Sequence, residues 1–277
     1  MAFIAESSLP LILVCFLSYN IYVLPSLCYS SSPPEFTLDS LRIALEKQED
    51  FIIFSLIERA RYPYNYPVYE TSSMANRNRS FVEIYVRQTE AIESKFGRYQ
   101  NPEELPFFPG DAHPQLAPPH RFPQLLYPPA ASVNASQSIW DMYFNDLLPL
   151  FTKKGYDGNY QQTAASDLIC LQALSKRINS GRFVAELKFR DEPKSYLPAI
   201  HAKDSESLMR LLTSTSVEEA VVRRVFEKAK IFGQDVNLQK NSTEAKVEPS
   251  VVSMLYQQWV IPLTKRVEVD YLLRHSY

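Results

Sequence analysis

The stretch Asp167–Arg190, DLICLQALSKRINSGRFVAELKFR, decides the fold because it carries one long helical pattern with two cations on its apolar side. Alternating steps of four and three residues join six positions: Cys170, Leu174, Arg177, Gly181, Val184 and Lys188. At about 100° per residue, these steps keep all six side chains on one stripe. Arg177 and Lys188 therefore point towards the interior, where an uncompensated cation is very costly. We expect an anionic group to face them, either a protein carboxylate or a bound ligand.

Length and composition exclude several classes of function. The chain has 277 residues, 45% hydrophobic, which is enough for one large core or two closely packed ones. Its formal net charge of -2 offers no basic excess for nucleic acid or an anionic membrane. The glycines show no dinucleotide or phosphate-loop spacing, the histidines no metal-ligand spacing, and the cysteines no disulfide framework or Cys-His nucleophile pattern. The sequence therefore predicts neither a cofactor nor a metal.

Residues 1–30 have the character of a targeting segment, and residues 31–277 form the expected folded domain. A short apolar run from Leu9 to Phe16 is followed by weaker apolar sequence and then by small polar residues. The apolar sequence is interrupted by Pro10, Asn20 and Pro25. These interruptions disfavour a membrane-spanning helix, so we expect no stable membrane anchoring. The segment favours the secretory pathway and an extracellular location, with the cytosol as the alternative.

The rest of the chain has helical periodicity, and no strand-like alternation is found. Besides the opening stretch, helices are expected at about residues 37–61, 80–99, 136–152, 204–213, 216–232 and 249–274. Ser216, followed three residues later by Glu219, predicts a capping box, and Pro262 predicts a kink in the last helix. Nine prolines between residues 102 and 129 predict an extended connection that wraps over the helices. The predicted fold class is all-α, a bundle of long helices.

Four of these helices place polar residues on an inner face. The residues are Arg42 and Glu49, Arg177 and Lys188, Ser214 and Glu218, and Thr264 and Glu268. For any one residue, an interhelical salt bridge is the simplest interpretation. Three cations and several acceptors that converge inside a bundle would instead make a polar cavity. A purely structural helical scaffold would leave these charges unexplained, so the residues alone predict a protein that binds a small polycarboxylate.

Four separated segments also carry a resemblance to a known family. They are LRIALEKQEDFIIFSLIERA (41–60), PEELPFFP (102–109), DLICLQALSKRINSGRFVAELKF (167–189) and IPLTKRVEVDYLLR (261–274). They resemble signature stretches of the plant and fungal all-helical chorismate mutases, and the resemblance covers about residues 36–274. It implies a homodimer that needs no cofactor and converts chorismate to prephenate by a Claisen rearrangement, in the shikimate-pathway branch to phenylalanine and tyrosine. The alternative is a secreted, chorismate-mutase-like protein that binds a ligand or partner with little turnover.

The resemblance implies catalytic roles for four of the inward residues. Arg42 and Arg177 match arginines that bind the substrate carboxylates. Lys188 matches a lysine that hydrogen-bonds the ether oxygen and a carboxylate. Glu268 matches a glutamic acid that donates a second hydrogen bond to that oxygen, which requires a protonated side chain.

The remaining inward residues match supporting positions of the family. Glu218 matches the acceptor for the ring hydroxyl, and Thr264 matches a neighbouring polar contact. Glu49 matches an acid that orients the arginine corresponding to Arg177. Ser214 stands where some members have asparagine, so its role does not follow directly from the resemblance.

Two further departures from the family pattern concern regulation and packing. Gln161 and Gln162 stand where amino-acid-regulated members have a Gly-Ser pair that contacts the effector, and with Gly97 and Arg98 they would form a degenerate effector site. Two long amides would crowd a site shaped for an aromatic amino acid. We therefore expect insensitivity to tryptophan, phenylalanine and tyrosine, as in the unregulated plant isoform. Asn179–Arg182 replaces the usual His-Tyr-Gly-Lys and is expected on outer faces.

Overall fold

A computed structural model describes residues 36–71, 78–111, 114–120, 122–234 and 245–275, so the targeting segment predicted over residues 1–30 lies outside the described residues. Its helices, numbered in chain order, are α1 (Leu38–Arg59), α2 (Phe81–Lys95), α3 (Ser136–Met142), α4 (Leu148–Phe151), α5 (Tyr160–Asn179), α6 (Gly181–Asp191), α7 (Pro193–His201), α8 (Ser205–Leu212), α9 (Thr215–Phe232), α10 (Pro249–Leu255) and α11 (Ile261–Leu273). Within these residues no strand forms beyond an isolated bridge between Thr71 and Ser80, so the predicted all-α class is confirmed. None of the helices in this part of the chain combines the length and apolarity that crossing a membrane requires.

Helix α1 shows how local sequence sets the ends of an element. The Thr37 hydroxyl oxygen accepts a hydrogen bond from the Ser40 backbone N–H at 3.2 Å, and the Ser40 hydroxyl oxygen accepts one from the Thr37 N–H at 3.0 Å. This reciprocal capping box satisfies donors that the first helical turn leaves free. The helix ends at Arg59, shortly before Pro63, and packs along the length of α5. Helices α1 and α5 thus form a packed frame that α2, α3, α6, α9 and α11 contact directly.

Two wide helical turns precede prolines. The segments Tyr143–Leu147 and Tyr256–Val260 are π-helical, and they run directly into α4, which contains Pro149, and α11, which contains Pro262. Proline has no backbone N–H, so the regular ladder of helical hydrogen bonds cannot continue through it. A π-turn accommodates that break. The interruption expected at Pro262 therefore takes the form of a π-turn.

The helix boundaries differ from the sequence predictions at three places. The opening stretch is divided at Ser180 into α5 and α6, and α7 was not predicted. The predicted capping box at Ser216 is wrong, because Ser214 occupies the cap position and makes no side-chain capping bond. The Glu218 N–H already bonds the Ser214 carbonyl oxygen at 3.0 Å, so Ser216 lies inside the first turn.

The segment Asn179–Arg182, expected on outer faces, is buried. The Arg182 guanidinium donates to the carbonyl oxygens of Pro102 at 2.8 Å, Ala131, and Asn179 at 3.1 Å. Burial lowers the pKa of Arg182 to about 10. The Pro102 carbonyl lies at the start of the proline-rich connection and the Ala131 carbonyl lies just after its end, so a buried arginine ties that connection to the helical body. The expectation failed because periodicity gives the direction of a side chain around its helix and not what packs over it.

In the part of the chain that the structure describes, the apolar core consists of two clusters of buried side chains. One joins α1, α5, the α3–α4 segment and α10, and the other joins α6, α8, α11 and the proline-rich connection. The paired segments α5–α6 and α10–α11 contribute to both clusters. The polar residues singled out from the sequence lie where these segments meet α1 and α9.

Candidate active site

A cavity of about 420 Å³ lies where α1, α5, α6, α9 and α11 meet. Its lining includes all eight inward polar residues that the sequence indicated: Arg42, Glu49, Arg177, Lys188, Ser214, Glu218, Thr264 and Glu268. Its size falls within the range of about 300–1,000 Å³ that is typical of small-molecule sites. The fold therefore brings together residues that are more than 200 positions apart in the chain.

Lys188 and Glu268 form the polar centre of the cavity. The Lys188 Nζ donates to the Glu268 Oε2 and to the Leu212 carbonyl oxygen, both at 3.1 Å. Burial raises the pKa of the Glu268 carboxyl, and the positive charges of Lys188, Arg177 and Lys265 oppose that rise. A carboxyl with a raised pKa keeps its proton to higher pH than an exposed one, and in that protonated form the pair can present two donors to one oxygen atom.

Arg177 is a buried cation with unused hydrogen-bonding capacity. Its side chain is only 7% exposed, and its Nε and Nη1 atoms have no hydrogen-bond partner among the described residues. The closest described aromatic contact is the ring of Tyr256, whose centroid is 6.0 Å from the guanidinium carbon. A guanidinium in this state is matched by an anion such as a carboxylate, whose oxygen atoms accept hydrogen bonds from its N–H groups.

Arg42 lies at the edge of the cavity, and its predicted burial is wrong. Its side chain is 57% exposed and pairs with Asp39 through a contact of 2.9 Å between Nη1 and Oδ1. Helix α1 begins at Leu38, so Arg42 stands in an early turn where its long side chain can reach solvent. Its place in the cavity lining leaves it able to swing towards a bound anion.

Glu49 is buried as predicted but does not orient Arg177. Its two carboxylate oxygens accept hydrogen bonds from Arg224 Nε at 2.9 Å and Nη2 at 2.6 Å. Lys228 Nζ lies 3.0 Å from the same carboxylate. Both cations come from α9, so Glu49 ties α1 to α9 and leaves Arg177 without a carboxylate partner among the described residues. The predicted role of Glu49 is thus corrected.

The other acceptors line the side of the cavity formed by α9 and α11. Lys265 Nζ lies 3.0 Å from Glu218 Oε1 and 3.2 Å from Glu218 Oε2. The Thr264 hydroxyl donates to the Val260 carbonyl oxygen at 2.6 Å, so towards the cavity its oxygen can only accept. Ser214 is exposed at the start of α9. This side of the cavity can therefore receive hydrogen bonds from ligand hydroxyl groups.

The arrangement suits a small dianion whose reaction needs positioning and hydrogen bonding. It combines an unpartnered guanidinium, a lysine and a buried acid. Among the described residues, no group of three or more histidine, cysteine or acidic side chains could hold a metal ion. Cys170 is buried in the apolar core, where burial raises its pKa to about 12 and keeps the thiol protonated. Attack by a thiolate from this position is thereby disfavoured.

Comparison with known proteins identifies the family. Residues 159–269 match the family model described as chorismate mutase type II. The chain is 52% identical over 245 residues to chorismate mutase 2 of Arabidopsis thaliana, covering 86% of this chain and 92% of that relative. The chain belongs to the chorismate mutase family. It is therefore an enzyme of the isomerase class.

Two further comparisons, one with a relative and one with a solved structure, agree with that assignment. The chain is 51% identical to cytosolic chorismate mutase 2 of Zea mays, covering 87% of this chain and 96% of the relative. A solved structure of AtCM1 with tyrosine bound in its allosteric site has a TM-score of 0.79 and 46% sequence identity, covering 88% of this chain and 98% of that chain. The shared all-helical architecture therefore spans nearly the whole of that structure.

Two cations that line the cavity, Arg224 and Lys265, were not predicted from the sequence. Lys265 was detectable, because Ile261, Thr264, Lys265 and Glu268 follow the spacing i, i+3, i+4, i+7 of one helix face. Arg224 was detectable on the same rule. Its face contains Val217, Ala220, Val221 and Arg224.

The four residues of the predicted effector site do not come together within one chain. Gln161 and Gln162 are exposed in the first turn of α5, where the Gln161 side-chain amide donates to the Tyr85 hydroxyl at 3.3 Å. Gly97 and Arg98 follow α2, and Arg98 Nη1 donates to Gln172 Oε1 at 2.9 Å. Gln172 lies eleven residues beyond Gln161, about 16 Å along α5. The two halves of the predicted site are thus separated along one helix.

Proposed function

We propose that this chain catalyses the rearrangement of chorismate to prephenate inside the cavity. The single observation that carries the proposal is the buried Arg177 with two unpartnered nitrogen atoms. A substrate carboxylate supplies the missing acceptors. Chorismate carries two carboxylates, and the second is assigned to Arg42, which lines the same cavity. The names of the relatives support the reaction for this chain.

The reaction is intramolecular, which agrees with the chemistry of the cavity. One ether C–O bond breaks while one C–C bond forms, and no atom is exchanged with the protein. The protein must hold the flexible substrate in a chair-like shape in which the two carbon atoms meet. Arg177 and Arg42 do this by fixing the carboxylates, and the apolar walls from Leu41, Val184 and Val221 limit other conformations.

Charge that develops on the ether oxygen is stabilised by Lys188 and Glu268. Their interacting atoms are 3.1 Å apart, so one oxygen atom can accept from both. Fixed donors of this kind act most strongly where water is excluded, and they need no rearrangement at the moment of reaction. The Leu212 carbonyl holds the lysine in place. Glu218 accepts from the ring hydroxyl, and Lys265 fixes its carboxylate.

The decisive experiment follows the loss of chorismate absorbance and the formation of prephenate by the full-length chain. We expect turnover without added cofactor, and we expect Lys188→Ala to abolish it. Lys194→Ala is the matched control, because Lys194 is an exposed lysine outside the cavity. A folded protein that binds chorismate without converting it would support the alternative of a binding protein. No binding at all would refute both proposals.

We also propose that the enzyme is insensitive to aromatic amino acids. The support is the pair of long amides at Gln161 and Gln162, where regulated members of the family have Gly-Ser. Tryptophan, phenylalanine and tyrosine at physiological concentrations should leave the rate unchanged. Restoring the small pair with Gln161→Gly and Gln162→Ser should introduce a response. Activation or inhibition of the unaltered protein would refute the proposal.

We propose a homodimer from the apolar side chains that are exposed on α1, α2 and α5. Phe51 of α1, Ile92 of α2 and Ile169 of α5 are each about half exposed, and Phe96 beside α2 is 69% exposed. Apolar side chains of this size are favoured in subunit interfaces. Light scattering after size-exclusion chromatography should give twice the chain mass, and Phe51→Asp should give the monomer. Ile231→Asp on α9 is the control, and a monomeric unaltered chain would contradict the proposal.

For the compartment, we propose the cytosol. The support is the 51% identity to the relative described as cytosolic, whereas residues 1–30 favour the secretory pathway. Fluorescent fusions of the full-length chain and of residues 31–277 test this directly. Diffuse cytosolic signal from both supports the proposal. If only the full-length fusion accumulates in secretory compartments, the proposal is refuted and residues 1–30 act as a targeting segment.

A further inference from the structure

Gly181 occupies the junction between α5 and α6, against α11. It is buried and begins α6 directly after the break at Ser180. Its φ angle is outside the left-handed region, since the positive-φ glycines among the described residues are Gly97, Gly155 and Gly158. The backbone conformation would therefore accept an alanine. What restricts this position is the space available for a side chain.

That space is occupied by the part of α11 that lines the cavity. A Cβ atom on residue 181 would lie 2.7 Å from the Thr264 carbonyl oxygen, 3.2 Å from Thr264 Cγ2 and 3.3 Å from Glu268 Cγ. The first contact is with backbone, which cannot turn away as a flexible side chain can. A methyl group here would push α6 and α11 apart, because close-packed helices transmit such strain.

The same helix face carries Lys188. Gly181, Val184 and Lys188 are spaced by three and four residues, so the contact at Gly181 and the lysine lie on one stripe, two turns apart. On α11, Thr264 and Glu268 are one turn apart and both touch the space beside Gly181. The separation of the two helices at Gly181 therefore affects the distance between Lys188 Nζ and Glu268 Oε2, which is 3.1 Å.

We infer that Gly181 is a positioning residue for the reaction, because its missing side chain lets α6 approach α11 closely enough for Lys188 and Glu268 to act on one oxygen atom. This inference rests on the proposed function. Gly181 itself touches no substrate, and it acts through Thr264 and Glu268. A glycine needed only for packing would affect stability and leave the chemistry of folded protein unchanged.

The test compares Gly181→Ala with Gly233→Ala in the full-length chain. A Cβ on residue 233 would lie 2.9 Å from the Ala229 carbonyl oxygen, a similarly close backbone contact outside the cavity lining. We expect Gly181→Ala to lower kcat about ten- to hundredfold, with a smaller change in KM, because a displacement of about 1 Å can cost that much. We expect Gly233→Ala to lower Tm and to leave kcat within about twofold of the original.

The pH profile supplies a readout that a packing defect would not move. Glu268 interacts electrostatically with Lys188 and Arg177 from α5–α6, with Lys265 from α11 and with Tyr196 from α7. If the helices separate, Lys188 opposes the raised pKa of Glu268 less strongly. The alkaline fall in turnover should therefore move to higher pH in Gly181→Ala even though kcat is lower.

The outcomes separate this inference from the proposed function. If the unaltered protein does not convert chorismate, the proposed function fails. If it does, and folded Gly181→Ala has the same kcat and pH profile, only the inference fails. Should the variant unfold, trimethylamine N-oxide, which favours the compact state, is added to both proteins. Failure to fold even then would overturn the inference, because Gly181 would serve the fold alone.

Discussion

Arg59 and Arg177 are both buried in the packed frame of α1 and α5, yet their surroundings are opposite. Arg59 is fully buried and every nitrogen of its guanidinium is used. Its Nε donates to Asp167 Oδ1 at 2.5 Å, and its other nitrogens donate to the carbonyl oxygens of residues 62–64 and to the Tyr69 hydroxyl at 2.8 Å. Arg177 has two nitrogens without a partner in the described chain. Both arginines are buried and both are charged. They differ in whether the nitrogens of the guanidinium have hydrogen-bond partners.

The difference indicates what each arginine does. A buried cation that is fully paired within the chain fixes local structure, here the loop after α1 against α5. A buried cation left partly unpaired lowers the stability of the free protein. Such a group is reasonable where a ligand supplies the missing acceptors. The comparison therefore favours the hypothesis of a structural role for Arg59 and a binding role for Arg177, and substitutions at both residues test it.

The largest expected effect is loss of activity in Arg177→Met. Two hydrogen bonds to a charged group contribute about 1.5–3 kcal/mol each, so kcat/KM should fall by about a hundredfold to ten-thousandfold. The Tm should stay the same or rise, because methionine fills similar space without an unpaired charge. Steady-state kinetics and a thermal melt without ligand check both parts. A large fall in Tm would show that Arg177 has an unseen structural role and would break the comparison.

The reverse result is expected for Arg59→Met. This change leaves the Asp167 carboxylate buried without its cation and removes the donors for three carbonyl oxygens. Breaking a buried pair in this way costs about 3–5 kcal/mol of folding free energy. Urea denaturation measures that loss, and the fraction that remains folded should retain its KM for chorismate. A loss below about 1 kcal/mol would mean that the paired arginine is not a structural anchor.

The sequence was sufficient for the fold class and for the convergence of polar residues. Helix α1 was expected at residues 37–61 and is found at Leu38–Arg59, since caps and prolines mark helix ends locally. Helical periodicity predicted that Arg177, Lys188 and Glu268 point towards the interior, where the cavity is found. These properties depend on neighbouring residues in the chain, which the sequence displays directly.

The partners of each side chain could not be predicted in the same way. Glu49 was expected to orient Arg177 and instead binds Arg224, because the choice between two cations depends on how α1, α5 and α9 pack together. Arg42 was expected inside and lies largely outside, because a long side chain can leave the face on which its Cα stands. Periodicity gives one angle per residue, whereas pairing requires the relative positions of two helices.

The next prediction concerns the pH dependence of turnover, where a smaller effect is expected. It compares two buried acids, Asp167 beside Arg59 and Glu268 in the same cavity as Arg177. Asp167 accepts from Arg59 and from the hydroxyls of Tyr69 and Tyr143, whereas Glu268 accepts from Lys188. Burial raises the pKa of Glu268, and only its protonated form can donate to the substrate. Turnover should therefore be highest below that pKa and should fall about tenfold per pH unit above it.

Glu268→Gln tests this assignment, because an amide donates at any pH. Its pH–rate profile should be flat over the range in which the unaltered enzyme declines, even if its maximal rate is lower. Glu218→Gln is the matched control, since Glu218 lines the same cavity but is paired with Lys265, and it should keep the original pH dependence. A Glu268→Gln profile that follows the unaltered enzyme would remove Glu268 from its catalytic role.

The smallest expected effect concerns Arg42, which lies between the two extremes. It has a carboxylate partner, Asp39, but both side chains are mostly exposed, and such pairs contribute at most about 1 kcal/mol. A substrate carboxylate can therefore displace Asp39 from Arg42. It could not displace Asp167 from Arg59, because that pair is fully buried. Asp39→Asn should lower the KM for chorismate by no more than about fivefold, because 1 kcal/mol corresponds to that factor. Arg42→Ala should raise the KM and leave Tm nearly unchanged. If both variants have the original KM, Arg42 takes no part in binding, and the second carboxylate must be held by another cavity cation such as Lys265 or Arg224.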